Sequence, residues 1–406
     1  MSNTINKQRL FTASCFALIT TAFTFGIRAA IMNDLSSDMS MTDTELGWIN
    51  FMGIFGFPIA TLIGGPLYNS IGPKRLGWIA FFSHLLGIVF SILSQSFWPL
   101  FASTFFLSFG NGMVEAAFNP MISDMYEENK AKMLNKFHVW FPGGIAIGAL
   151  LAFFAGSAGF GWQAKISIMF APTIIYGFLF FGQSFPEPQR EGGPSTADNF
   201  KAILSSPIYW FMLVCMILTA TTELGTQGWV ERLLANSGAQ PLLALVLITG
   251  LMAVGRYFAG PVIKKLDITG VLLGSAVISV IAIYMLSTVT GNMVYVAAVM
   301  FALGVCYFWP NMISFVATYL PKTGALGMSL IGGVGMLGLS IFQPIIGGWM
   351  DSERAYAIAN GLEGDAAELA AGQATLDNIA ILPAILIIAF GIIYFTRDKI
   401  KAKYAT

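Results

Sequence analysis

Charge is what this sequence has least of. Asp, Glu, Lys and Arg make up 10% of the 406 residues, against roughly 25% in a soluble domain, whose surface has to be wetted. With a hydrophobic share of 56% and a mean hydropathy of +0.72, the chain cannot clothe a water-facing exterior, and lipid is the implied solvent for most of it. Neither sign of charge dominates: 21 basic residues meet 21 acidic ones, so no global field marks a nucleic-acid partner. Cysteine and histidine are also scarce. Cys15, Cys215 and Cys306 all lie in apolar runs, which gives no disulfide framework, and two histidines make no metal centre. Glycine is plentiful at 43 residues, yet no glycine-rich loop leads into Lys-Ser or Lys-Thr, so no phosphate cradle and no ATP-driven pump is implied. No nucleophile–base pair stands out, and nothing points to an enzyme or to a cofactor.

What the chain does have is apolar length. A spanning helix needs about 20 mostly apolar residues, and such runs fall near 10–33, 46–67, 76–95, 98–122, 135–156, 164–184, 207–229, 241–262, 269–288, 293–319, 324–349 and 378–396. Open sheet edges do not survive in hydrocarbon, so these are helices, and the fold class is an all-α membrane protein of twelve transmembrane helices. The run Leu10 to Met32 is too long for a signal-peptide core and lacks a small-residue cleavage site, so it reads as the retained first span. Lys7, Arg9, Lys74, Arg75, Lys130, Lys132, Lys136, Lys264, Lys265, Lys322, Arg397, Lys399, Lys401 and Lys403 all fall on one side when the spans are threaded. Acidic loops, around Asp34 and around Asp351, fall on the other. The positive-inside rule then places both termini in the cytoplasm of a bacterial-type inner membrane. The segment 350–377 contains an Ala-rich run expected to form a short surface helix on the acidic side.

The polar stretch 186–206 divides the chain and has the composition of a cytoplasmic linker. Residues 1–185 and 207–406 each hold six spans, and they echo each other. Gly65-Pro66 recurs as Gly260-Pro261, Asn119-Pro120-Met121-Ile122-Ser123 as Pro310-Asn311-Met312-Ile313-Ser314, Gly143-Gly144 with Gly148 as Gly332-Gly333 with Gly338, and Gly26-Ile27-Arg28 as Gly225-Thr226-Gln227. A duplicated six-helix unit puts a substrate site at the interface of the halves.

The run Gly64-Gly65-Pro66-Leu67-Tyr68-Asn69-Ser70-Ile71-Gly72-Pro73-Lys74-Arg75 resembles the cytoplasmic loop signature of the major facilitator superfamily. The resemblance implies two six-helix bundles and a gating loop at Gly65, Asn69, Gly72, Lys74 and Arg75. Asn69 stands where the superfamily usually has an Asp. A narrower likeness, to the fucose/glucose permease group of proton-coupled sugar symporters, is carried by Gly112 to Pro120, by Leu134 to His138, by Gly143-Gly144, and by Glu223 with Gln227, Gly228 and Trp229. That group has a protonatable Glu at the position of Glu115. It also has an Asp late in the first helix, where this chain offers only Asn33 and the boundary residue Asp34.

An ionisable residue at bilayer depth costs a few kcal/mol or more and is a functional hypothesis by default. Glu115, flanked by small residues, is the proton-coupling candidate, with Glu223 as the second carboxylate. Arg28 has two readings: a salt bridge with Glu223 that relieves both burial penalties, or bidentate recognition of an anionic substrate group. His138, at a helix start, is an accessory candidate, as are Asn33 and Asp34. Arg256 reads as snorkelling to the headgroups or binding the adjacent loop. Sugar recognition needs paired hydrogen-bonding groups and an aromatic face, for which Asn119, Gln227, Trp229, Trp309, Asn311 and Gln343 are the candidates. The expectation is a monomeric secondary transporter importing a sugar or sugar-like small solute by proton symport, its partners being that solute, protons and the lipid bilayer. An organic-anion carrier with Arg28 as counter-ion is the alternative. A non-transporting membrane sensor or scaffold is a further alternative, of another class.

Overall fold

The protein's structure, a computed structural model, describes residues 5–40, 43–187, 195–234 and 236–404; side chains at 29, 32, 33, 36, 37, 43–47, 153, 231, 232, 242 and 344 lie outside that description. The described residues form helices and no strand: α1 (Lys7–Asp38), α2 (Asp43–Leu93), α3 (Phe97–Met125), α4 (Lys130–His138), α5 (Trp140–Ser157), α6 (Trp162–Ser167), α7 (Phe170–Phe180), α8 (Thr196–Leu204), α9 (Pro207–Ala220), a π-helical turn (Thr221–Gly225), α10 (Thr226–Leu233), α11 (Pro241–Tyr257), α12 (Ala259–Thr288), α13 (Met293–Val305), α14 (Phe308–Tyr319), α15 (Gly324–Ala359) and α16 (Gly364–Tyr404). The predicted spans lie along these helices to within a few residues at their ends, and 135–156, 164–184, 241–262 and 293–319 each cover two consecutive ones. Nine stretches among the described residues are long and apolar enough to cross a bilayer. One of them, Trp48–Leu93, is 46 residues long, about twice what one crossing needs. The shorter α11 and the more polar α3 complete the predicted set. α3 is less apolar because it is an inner helix, with Asn111, Glu115 and Asn119 all buried along it. The outer surface is correspondingly apolar, with Phe395, Phe181, Phe178 and Ile388 exposed, as a lipid-facing belt requires.

The breaks in α2 and α12 take the same backbone conformation. Gly72 (φ 78°, ψ 165°) interrupts α2 and Asp267 (φ 61°, ψ 165°) interrupts α12, in a region of backbone space that is essentially reserved for glycine. They are separated by the same offset that relates Gly65 to Gly260, so the internal repeat extends to backbone conformation. Asp267 holds its strained geometry with two bonds, from Tyr319 OH at 2.5 Å and from Thr269 Oγ1 at 3.1 Å.

Both chain ends lie on one face of the bundle, the end of α16 placed there by Tyr394 against Gly270, next to the α12 break. Lys7 Nζ donates to the Met125 carbonyl at the end of α3, and Arg9 Nε to the Leu179 carbonyl at the end of α7. On this terminal face the two halves are packed closely. A Cβ on Gly65 would stand 2.8 Å from the Ser329 Cβ, one on Gly143 3.4 Å from the Ala253 Cβ, and one on Gly260 3.3 Å from the Lys132 side chain. Asn69 Nδ2 donates to Asn199 Oδ1 of α8 at 2.8 Å, and Asn199 Nδ2 donates to the Lys322 carbonyl at 2.9 Å. The stretch predicted as linker therefore contains a capped helix: Ser195 and Asp198 form a capping box at its start, which satisfies two N-terminal amides. Residues 188–194 of that stretch lie outside the described residues.

One expectation is corrected on the opposite face. The Ala-rich run is not a separate surface helix but the first turns of α16, which runs on from Gly364 without interruption. Ala367, Ala371 and Gly372 are buried there, and a Cβ on Gly372 would meet the Leu233 carbonyl at 2.6 Å. The small residues are packing contacts that let α16 approach α10.

Candidate functional site

Near the middle of the bundle Phe25, Phe57, Phe141, Leu224, Trp309 and Met336 line a cavity with Glu115 and Glu223 at its edge. Its water-accessible space is about 10 Å³, room for about one water, where a small-molecule pocket needs several hundred Å³. The halves are closed on it in this conformation.

Glu115 comes from α3, 5% exposed. The Asn119 amide, one turn along the same helix, donates to its Oε2. With the amide so oriented, Asn119 Oδ1 faces His138 Nε2 at 3.1 Å, and the imidazole stands 3.8 Å from the Glu115 carboxylate. The sequence candidates Glu115, Asn119 and His138 are thus one connected group.

Glu223 does not pair with Arg28. Its Oε1 accepts from Arg256 Nη2 at 2.7 Å, while Oε2 is buried with no partner among the described residues. Nor does Arg256 snorkel: it is 0% exposed. Snorkelling loses because three acceptors are already in place. Arg256 Nε donates to the Cys306 carbonyl at 2.6 Å, and Nη1 to the His138 carbonyl at 3.1 Å. Both carbonyls are left free by proline. In a helix the carbonyl of residue i accepts from the amide of i+4; Pro142 follows His138 by four residues and Pro310 follows Cys306 by four, and proline has no N–H to give. The π-helical turn that carries Glu223 adds a third irregularity in the same place, as such turns often do at functional sites. Sequence reasoning missed Arg256 as a hub. The proline spacing was a usable signal, but nothing in one dimension says that the two freed carbonyls face one guanidinium.

The remaining candidates fall in three places. Asn311, buried, accepts from Asn135 Nδ2 at 3.2 Å, a contact from α14 to α4 beside the cluster. Trp229 Nε1 donates to Gln343 Oε1 at 2.7 Å, and Gln227 donates to Met252 Sδ at 3.2 Å; these three satisfy one another or a neighbour inside the second half, away from the cavity lining. Arg28 sits in a different cavity, inside the first half, with Thr24, Gly53, Ser91, Thr104 and Leu107 among its walls. Its guanidinium lies 5.2 Å from the Phe25 ring and has no carboxylate partner among the described residues. Asp34 takes a 2.5 Å bond from Lys165 Nζ, which is a tie between α1 and α6. Asn33 lies in α1 with its side chain outside the described residues. Of the loop residues, Gly65 and Asn69 make the contacts given above, Gly72 makes the break, and Lys74 and Arg75 are exposed. Among the described residues no group of His, Cys, Asp and Glu could hold a metal ion.

Comparison with known proteins adds the family. A family model described as Major Facilitator Superfamily matches residues 11–343. The 2-nitroimidazole transporter of Escherichia coli K12 is 19% identical over 234 residues, covering 57% of this chain and 59% of that protein. Myo-inositol transporter 1 of Candida albicans is 24% identical over 155 residues, covering 37% of this chain and 27% of that protein. The chain thus matches less than two thirds of the length of each of these curated relatives. Among solved structures, the E. coli fucose:proton symporter FucP superposes with a TM-score of 0.69 at 15% identity, over 93% of this chain and 98% of that one. The human organic anion transporter MFSD10 gives 0.73 at 13%, over 95% and 100%.

Proposed function

Because this chain belongs to the Major Facilitator Superfamily, and is a transporter rather than an enzyme, we propose that it imports a sugar or sugar-like small solute by proton symport, alternating access about the Glu115–Trp309 cavity. The observation that carries this reading is the Glu115 group. A carboxyl is held at bilayer depth by an amide and an imidazole, at the edge of a cavity that also presents an indole face. A charge so placed costs several kcal/mol, which a purely structural helix contact has no need to incur. A carboxyl that faces a closed cavity can load a proton from one side and release it to the other as the halves rock. Trp309 supplies the apolar surface that a sugar ring needs, while Asn119 and Asn311 are bonded beside the cavity in this conformation, to Glu115 and to Asn135, and would have to turn to offer their amides to a solute. The same reading has two bundles, residues 1–185 and 207–406, joined by 186–206, in a monomer with both termini in the cytoplasm of a bacterial-type inner membrane.

A second reading, an organic-anion carrier, is favoured by Arg28, a cation inside the first half with no carboxylate partner among the described residues. One experiment separates the two. Proteoliposomes of the full chain are given L-fucose, D-xylose, myo-inositol or D-gluconate, and external pH is followed. Alkalinisation with a neutral solute, lost in Glu115→Gln, supports proton symport through Glu115. A response to gluconate alone, lost in Arg28→Ala and kept in Glu115→Gln, replaces it with anion transport.

A further inference from the structure

Arg256 does more than neutralise Glu223. Two of its bonds stay within the second half, to Glu223 and to Cys306; the third crosses to His138 in the first half. It is a bond to a backbone carbonyl that Pro142 leaves otherwise unsatisfied, so nothing else in α5 competes for it. Asn135 to Asn311 crosses in parallel, at 3.2 Å. Both crossings come from α4, which follows the end of α3 on the terminal face, the face on which Gly65 packs on Ser329. The titratable groups facing the guanidinium are Glu223 on the π-helical turn, Cys306 and Tyr307 at the junction of α13 and α14, and His138 and Glu115 across the interface.

We propose that Arg256 is a positioning residue for transport: held by Glu223 and Cys306, it clasps the His138 carbonyl and keeps the terminal side of the cavity shut, and loss of the Glu223 charge lets the clasp open. The open carboxyl oxygen is the feature that makes this a switch. Glu223 Oε2 is buried and makes no hydrogen bond to a described residue while Glu223 lines the cavity, so a proton has an oxygen to occupy without first breaking the Oε1 bond. Once Glu223 is neutral, Arg256 loses the carboxylate it is bonded to within its own half, and a buried cation deprived of its bonded partner is costly in the low-dielectric interior. The guanidinium then moves towards water, and the His138 carbonyl is released. This rests on the transporter reading above but names a step that needs no solute to be observed.

The test is the distance between the halves in the full chain reconstituted in lipid. The three native cysteines are buried, so spin labels go to introduced ones: Lys74→Cys with Lys264→Cys on the terminal face, and Trp98→Cys with Met293→Cys on the opposite face, all exposed positions. The expected result is one short terminal-face distance in the parent. A longer population at least several-fold more abundant should appear in Glu223→Gln and in Arg256→Gln, with no further gain when the two are combined. Arg256→Lys, which keeps a cation and donors, should restore much of the short distance, a rescue that a space-filling role would not give. Should Arg256→Gln not fold, Glu223→Gln and Arg256→Lys still decide the matter. Unchanged terminal-face distances in Glu223→Gln at all pH values overturn the clasp, even where the parent moves protons with a sugar. A clasp that opens as expected in a protein indifferent to every solute supports the clasp and overturns the sugar reading instead.

Discussion

Replacing Arg256 with Met is the substitution whose consequences the structure specifies most fully. Met fills a similar length of apolar space but leaves Glu223, 1% exposed, without its partner, and removing one member of a buried ion pair costs about 3–5 kcal/mol. It also strands the Cys306 and His138 carbonyls, which Pro310 and Pro142 bar from helical bonds. Each orphaned acceptor adds about 1–3 kcal/mol. Changing Glu223 to Leu at the same time removes the unpaired charge, and a buried pair replaced whole by apolar residues is often close to neutral. The double variant is therefore expected to be more stable than Arg256→Met alone, with a coupling energy of at least about 3 kcal/mol, while the stranded carbonyls keep it below the parent. The assay is equilibrium unfolding in mixed dodecyl maltoside and dodecyl sulfate micelles, followed by tryptophan fluorescence, for parent, both singles and the double. Effects that add to within about 0.5 kcal/mol would refute the shared burial energetics, since independent sites behave that way.

Other outcomes follow from the same contacts. Gly65→Val puts a branched side chain where even a Cβ stands 2.8 Å from Ser329, so labels on the terminal face should report a longer mean distance, with little loss of folded protein. At Asp267 two effects oppose: alanine keeps the strained backbone and forfeits the bonds from Tyr319 and Thr269, costing about 1–3 kcal/mol, whereas glycine recovers about 1–3 kcal/mol of strain. Thermal unfolding should rank Asp267→Gly above Asp267→Ala; the reverse order would mean that φ 61° is not strained here. In α8 the bonds from Ser195 hold the Asp198 carboxyl below the usual carboxylate range. A depressed folded value means that its contribution is present above the ordinary carboxylate pKa and is lost as pH falls through the folded one. Hydrogen exchange at residues 196–204 should therefore speed up, relative to its intrinsic rate, below about pH 4, and should show no such step in Asp198→Asn.

Much was legible in one dimension because a bilayer leaves a chain few options. Apolar length gives the spans, and the requirement that every backbone polar group be satisfied internally makes them helices. The duplicated motifs pointed to two related halves, and the structure adds that Gly72 and Asp267, at the same offset, take matching backbone conformations. Glu115, Asn119 and His138 could be nominated because they sit on neighbouring helices at depths that make them costly. What the residues could not decide was partnership. Glu223 was read beside Arg28, and Arg256 at the headgroups or the adjacent loop, because helix depth is a one-dimensional coordinate and pairing depends on which face each helix turns towards its neighbours. That rotation is set by close packing, such as Gly65 on Ser329 or Gly372 on the Leu233 carbonyl, and by two prolines that bare carbonyls at His138 and Cys306. The sequence determined that the chain is a bundle of apolar helices and which of them carry charge; only the folded bundle decided that one arginine gathers a carboxylate and two freed carbonyls across the interface, leaving Arg28 in a cavity of its own.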